Sequence, residues 1–120
     1  VIGSGTVEIY AATTVLTQNG GPVTLLGSGA HPTVNLWGGT LFYNSSGTLA
    51  GTAIKIAEKG VLDFTGDLTT KSVGTTIQAA KGATINDPFG VAGNLAVKAV
   101  ECQPRDVIWN GPFDKTFTQS

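Results

Sequence analysis

A short motif recurs along this chain at a nearly regular interval. IKIAEKGVLDF, from Ile54, and IQAAKGATIND, from Ile77, align with three further segments that start at Val15, Val34 and Val97. The period falls at the short end of the range that is typical of stacked repeat architectures. A unit of this length cannot bury its own apolar face, so the period predicts a solenoid in which each rung stacks on the next.

Within each repeat, apolar and polar residues alternate on either side of a turn. Val34 and Leu36 show this alternation, whose period of two indicates a strand rather than a helix, and Gly38-Gly39 marks the turn. The sequence therefore predicts an all-β fold, a short β-solenoid of about five rungs with two strands in each. A β-sandwich or jelly roll is the alternative, because its strands recur at similar spacing. A short helix over residues 53–60 is a local alternative.

The whole chain, residues 1–120, is expected to form a single β-rich domain. We assign residues 15–110 to the repeat body, residues 1–14 to an N-terminal cap or arm, and residues 111–120 to a C-terminal arm that has no partner among the repeats. A solenoid exposes unpaired backbone groups at its two ends, and these have to be covered. The two flanking segments are the available caps. The low surface charge, the single cysteine and the aromatic residues of the C-terminal segment suggest that further surface is buried between chains, so we expect a homo-oligomer.

The charge pattern argues against two classes of partner. The chain has 7 basic and 8 acidic residues, a net charge of −1, and no cluster of basic residues. Binding to nucleic acid or to an anionic membrane surface is therefore not expected. No apolar run approaches the roughly 20 residues that a membrane-spanning helix needs.

Motifs for cofactors and for nucleophilic catalysis are missing from the sequence. VIGSGTVE has the first two glycines of a dinucleotide-binding fingerprint but Glu8 at the third position, and no P-loop follows any glycine. His31 and Cys102 are the only His and Cys, too few for a zinc site within one chain. We interpret His31 as a loop residue and Cys102 as a buried apolar side chain. No cofactor, metal or catalytic residue is expected.

Three acidic residues supply the one catalytic hypothesis. Asp63, Asp87 and Asp106 fall at comparable places in successive repeats, which would form a column in a stacked coil. Two carboxylates a few ångströms apart can perform acid and base chemistry on a glycosidic bond. Solvated turn carboxylates are the ordinary interpretation of the same residues.

Aromatic residues are the candidates for contacts with a partner. Trp37 and Trp109 lie next to turns, where full burial in a thin solenoid is difficult, and exposed aromatic rings often anchor interfaces. Phe113 and Phe117 lie close together in the C-terminal segment. These four residues are the predicted partner contacts.

The repeats between Val15 and Trp109, for example TVNLWGGTLFYNSSGTLAG, resemble the short-rung β-solenoids of phage spikes and virion proteins, adhesin passenger domains and polysaccharide lyases. The size of the chain is similar to that of phage capsid decoration (cement) proteins. This resemblance implies a non-enzymatic structural protein of the virion, assembled in the host cytoplasm. It also implies a trimer whose partner is the major capsid protein or another virion protein.

The same resemblance carries an alternative. A carbohydrate-binding or carbohydrate-cleaving β-helix module of a tailspike or adhesin would be extracellular. In that case Trp37 or Trp109 would stack on sugar rings, and the three acids would supply the chemistry.

Overall fold

A computed structural model of the chain describes residues 5–8, 15–26, 33–45, 53–70, 76–92, 95–112 and 117–119. Short β-strands dominate these residues, and one 3-10 helix spans Pro104–Asp106. The strands are β1 (Gly5–Glu8), β2 (Val15–Gln18), β3 (Pro22–Leu26), β4 (Thr33–Leu36), β5 (Thr40–Tyr43), β6 (Ala53–Ile56), β7 (Val61–Asp63), β8 (Thr76–Ala79), β9 (Thr84–Asn86), β10 (Ala96–Ala99), β11 (Ile108–Asn110) and β12 (Phe117–Gln119). Among the described residues, no helix is long and apolar enough to cross a membrane.

The strands form two parallel sheets, one of the odd-numbered and one of the even-numbered strands. The order in the odd sheet is β1-β3-β5-β7-β9-β11, and in the even sheet β12-β10-β8-β6-β4-β2. Each strand therefore pairs with the strand two places away along the chain, which is the connectivity of a β-solenoid. The predicted all-β solenoid is confirmed. The sandwich alternative is wrong, because every pairing between described strands is parallel.

Each of the five repeats folds as one rung, which we define as an even strand and the odd strand that follows it. Val34, Ile54, Ile77 and Val97 are successive register partners in the even sheet, as the repeat predicts. The first repeat is offset by one residue, since Val34 pairs with Leu16. The neighbouring Val15 is 58% exposed. Strand β6 also replaces the helix considered for residues 53–60.

The core lies between the two sheets and takes alternate residues from each strand. Fully buried side chains include Leu41 and Leu62 from the odd sheet and Ile54 and Ile77 from the even sheet. Branched and aromatic residues occupy these columns because they pack well on a pleated surface. At one corner the rings of Tyr43 and Phe64 pack with their centroids 5.7 Å apart.

Tight corners connect the strands within a rung. Gly39 has φ of +75°, a left-handed conformation that disfavours residues with a Cβ atom. Gln18 lies fully buried beside this corner, and its Nε2 donates to the backbone oxygens of Gly20, Gly21 and Thr40 at 3.3, 3.1 and 2.9 Å. The side chain thus satisfies backbone acceptors where the ladder is interrupted.

The two flanking segments each contribute a strand. β1 lies within residues 1–14 and pairs with β3, and β12 lies within residues 111–120 and pairs with β10. Phe117 is the register partner of Val97, so the C-terminal segment does have a partner among the repeats. The expectation that FDKTFTQS has none is wrong.

Candidate functional site

A shallow groove of about 320 Å³, which we call the Trp37 groove, lies where the even strands end. Four of its apolar residues occupy equivalent positions, one residue after β4, β6, β8 and β10. Backbone bonds of 2.8 to 2.9 Å, such as Ala57 N to Leu36 O, extend the ladder through these positions. The lining residues are Trp37, Lys55, Ile56, Ala57, Glu58, Gln78, Ala80 and Val100.

The depth of the groove follows from side-chain size. Trp37 is 46% exposed, whereas the next two rungs place only the methyl groups of Ala57 and Ala80 at the same level. An indole beside two alanines leaves a concave apolar surface with the ring as its wall. The polar rim comes from Lys55 and Gln78, register partners in the even sheet, and from the exposed Glu58. Such a surface offers a stacking platform together with hydrogen-bonding groups.

A second concavity of about 420 Å³, which we call the Asp63 cleft, lies on the odd sheet. Asp63, Asn86 and Asn110 are successive register partners and form a hydrogen-bonded ladder along its floor. Asn110 Nδ2 donates to Asn86 Oδ1 at 2.7 Å, and Asn86 Nδ2 donates to Asp63 Oδ2 at 3.4 Å. The other lining residues are Thr65, Pro88, Gly111 and Pro112.

The predicted column of three acids is wrong. Asp63 pairs in register with Asn86, so Asp87 falls one position off the column. Asp87 is fully buried, and its two oxygens each accept a backbone N–H at 2.9 Å, from Val91 and Ala92.

The third acid is also used by the backbone. Asp106 lies in the 3-10 helix and accepts the N–H of Gln103 at 3.0 Å. Asp63 accepts the N–H of Thr65 at 2.9 Å. Each carboxylate therefore holds a local turn. No group of three or more His, Cys, Asp or Glu side chains suited to a metal ion occurs among the described residues.

The predicted aromatic contacts fall in different places. Trp109 is half-buried against the core at the inward position of β11, whereas Trp37 lies in the exposed groove. Phe117 continues the even-sheet column by its backbone register. Phe113 and His31 lie outside the described residues. Cys102 is half-buried against the core, its Sγ 3.8 Å from the oxygen of Ala79.

The sequence contains signals for the groove and the ladder that our predictions did not use. Trp37 and the equivalent groove residues of the next three rungs each stand three positions after a repeat start. The ladder follows a polar residue at the end of each odd strand, as in VLD, TIN and IWN. A tryptophan followed by smaller apolar residues at one repeat position thus marks the groove, and an acid followed by two amides at another marks the ladder.

The chain was compared with known proteins at the levels of family, sequence and structure. No protein-family model matches it. Neither the curated proteins nor the solved structures give a match.

Proposed function

We propose that this chain is a non-enzymatic structural protein that acts through contacts of its surface with other proteins. The observation that carries the proposal is the use of Asp63, Asp87 and Asp106 as acceptors for backbone N–H groups. The side chains that suggested chemistry therefore serve the fold. What the protein offers to partners is a regular, weakly charged β-surface with a few exposed apolar residues.

Within this class, we propose a capsid decoration (cement) protein of a virus particle, with the major capsid protein or another virion protein as its partner. Support comes from the likeness of the repeats to the short solenoids of phage virion proteins, with which the parallel two-sheet coil agrees. A homotrimer is the assembly we propose, and its mass would be three times that of the 12.2 kDa chain.

Particle localisation tests this function directly. Antibodies raised against the purified chain are applied to particles isolated from a culture of the source, and bound gold label is counted by electron microscopy. Gold label spread over the capsid surface supports decoration. As the control, antibodies that were pre-absorbed with the purified chain should leave the particles unlabelled. If mass spectrometry detects the chain in the lysate but not in particles purified from that lysate, the proposal is refuted.

A second candidate function is carbohydrate binding at the Trp37 groove. The observation that favours it is the 46% exposed indole beside Lys55, Glu58 and Gln78. The C–H face of a sugar ring packs on an aromatic face, and the rim can bond its hydroxyls.

Oligosaccharide binding, followed by a glycan array and by calorimetry, tests this candidate. Trp37→Ala should abolish binding, whereas Phe89→Ala, which removes a 62% exposed ring elsewhere, should leave it unchanged. If the parent chain binds no glycan, or if both variants bind equally, the groove is not a sugar site.

A further inference from the structure

The sequence contains two Asn-Gly pairs, Asn19-Gly20 and Asn110-Gly111, and the structure restrains them differently. In such a pair the backbone nitrogen of the glycine can attack the side-chain amide carbon of the asparagine, because glycine has no Cβ atom to block the approach. Both asparagines are exposed, so access to water does not distinguish them. Their hydrogen bonds and backbone surroundings do.

The reacting groups of Asn19 are unrestrained. The residue follows β2 at the first corner of the coil, and no described residue forms a hydrogen bond with its side chain or with the N–H of Gly20. A Cβ atom added at Gly20 would have no neighbour within 4 Å. The corner therefore leaves room for the Asn19 side chain to fold back onto the Gly20 nitrogen.

This freedom is a property of the corner itself. Residues 19–21 are equivalent to residues 37–39 of the next rung, by the strand register on both sides of the corner. That next rung is stacked between two others, yet Trp37 is 46% exposed and no described backbone oxygen accepts the N–H of Gly38. An outward side chain followed by a glycine with an unbonded N–H is thus inherent to this corner.

Asn110 is held in place by the amide ladder. Its Nδ2 donates to Asn86 Oδ1 at 2.7 Å, and its backbone oxygen accepts the N–H of Asp87 at 2.8 Å. Gly111 packs closely on the indole of Trp109, since a Cβ atom added at Gly111 would lie 2.7 Å from the ring. To react with the Gly111 nitrogen, the Asn110 side chain has to break its ladder bond and turn out of β11.

We propose that Asn19 is a modification site at which the folded protein deamidates spontaneously, whereas Asn110 is protected. The Gly20 nitrogen bonds to Cγ of Asn19, the Cγ–Nδ2 bond breaks, and the proton of the attacking N–H leaves with Nδ2 as ammonia. The resulting succinimide takes up one water molecule. Ring opening at Cγ gives aspartate, and ring opening at the main-chain carbonyl gives isoaspartate. Water is the only co-reactant.

The isoaspartyl product does not fit the corner, because it adds the side-chain CH₂ to the main chain. Hydrogen bonds to the next rung fix both ends of the corner, from Trp37 N to Gln18 O at 2.8 Å and from Thr40 N to Gly21 O at 3.0 Å. Nε2 of the buried Gln18 also holds the oxygens of Gly20 and Gly21. Isoaspartate should break part of this network, while aspartate keeps the length of the backbone.

Mass spectrometry of proteolytic peptides tests the proposal, which does not depend on the function proposed above. The purified chain is incubated in mildly alkaline buffer, and the exchange of NH for O is followed in the peptides that contain Asn19 and Asn110. In the folded chain Asn19 should deamidate roughly tenfold faster, because Asn110 first has to break a hydrogen bond and leave the strand. In urea the two rates should become similar, since both residues then precede glycine in an unfolded chain. Equal rates in the folded chain, or a difference that persists in urea, would overturn the proposal.

Two variants separate the contributions of the two sites. Gly20→Ala adds a methyl group in open space and should slow the reaction at Asn19 without changing Asn110. Asn86→Ala removes the acceptor of the Asn110 amide and should speed the reaction there without changing Asn19. Circular dichroism checks that both variants keep the parent strand signal. Folded variants that deamidate at the parent rates would contradict the assigned roles of Gly20 and the ladder.

The effect on the corner is measured on the aged protein. Its isoaspartyl form, separated by chromatography, should unfold at a lower urea concentration than the parent chain. Asn19→Asp is the matched control, since it carries the same charge on a backbone of ordinary length. Equal stability of the isoaspartyl form and Asn19→Asp would show that the corner accommodates the longer backbone and would contradict this part of the proposal.

Discussion

Asn86 lies next to Asp63 in the odd sheet and donates its side-chain amide to the Asp63 carboxylate, Nδ2 to Oδ2, over 3.4 Å. Asp63 is nearly buried, and its other oxygen accepts the N–H of Thr65 at 2.9 Å. The nearest ladder neighbour of this carboxylate is thus an amide and not a second acid. These hydrogen bonds hold the end of β7 in place.

Asp87 should matter more than Asp63 for the stability of the fold. Asp87→Asn should lower the free energy of unfolding by about 1–3 kcal/mol, because an amide NH₂ replaces one of two oxygens that accept buried backbone N–H groups. Asp63→Asn keeps an oxygen for Thr65 and should cost less. Urea unfolding measures both. Equal losses in the two variants would contradict the assigned role of Asp87.

The corner glycines offer a matched pair of substitutions. Gly39→Ala should destabilise the protein by at least about 2 kcal/mol, because φ is +75° and a Cβ atom would fall onto the carbonyl oxygen of Gly21. Gly20→Ala is the control, since a Cβ atom there has no neighbour within 4 Å. Thermal unfolding of both variants gives the comparison. If Gly39→Ala is as stable as Gly20→Ala, this corner is not as tight as described.

The buried corner residue Gln18 should not tolerate a carboxylate. Gln18→Glu replaces a donor that faces three backbone oxygens with a charged acceptor, and should cost about 3 kcal/mol or more at neutral pH. Burial favours the protonated acid, so stability should be present at low pH and be lost as the pH rises through the pKa of the introduced group.

Gln18→Met removes the donor without adding charge and is the control for this substitution. Urea unfolding between pH 4 and pH 7, values chosen about the ordinary glutamate pKa, should show a pH-dependent gap between the two variants. A constant gap would mean that residue 18 is accessible to water.

Alkaline pH should destabilise the fold through Tyr43. This side chain is fully buried, and burial raises the pKa of its phenol above the ordinary value of 10.0. The unfolded chain loses this proton above about pH 10 while the folded chain keeps it. The stabilising contribution is therefore complete below that pH and decreases above it, by up to about 1.4 kcal/mol per pH unit.

Denaturant unfolding between pH 8 and pH 11, bracketing the ordinary tyrosine pKa, checks this expectation. Tyr43→Phe should have a shallower loss of stability over the alkaline part of the range, because the titrating group is gone. An identical pH profile for the parent chain and the variant would show that Tyr43 ionises without unfolding.

The period of the repeat predicted the coil, and the alternation predicted which residues enter the core. Ile54, Ile77 and Val97 are register partners because apolar residues of similar shape stack in one column. The start of the first repeat was misplaced by one residue, since Val15 and Leu16 are both apolar and alternation alone could not choose between them. Only the register with Val34 makes Leu16 the buried residue.

Side-chain positions at the corners were harder to predict than the strands. The prediction that Asp63 and Asp87 occupy the same column of the coil is wrong, because the register partner of Asp63 is Asn86. A difference of one residue places the second acid in the turn, where backbone N–H groups surround it. The strand at Phe117–Gln119 was missed, although Phe117 follows Val97 at the same interval at which Ile54 follows Val34.

Every pairing between described strands joins neighbouring rungs and therefore residues that are close in sequence, as Gly5 with Val23 and Ile85 with Trp109. No described strand pairing links the first rung directly to the last. Folding can therefore begin on any pair of neighbouring rungs and spread outward, with only a short loop to close at each step. Protection of amide hydrogens from exchange should consequently be greatest in the middle of the coil and decline towards both ends.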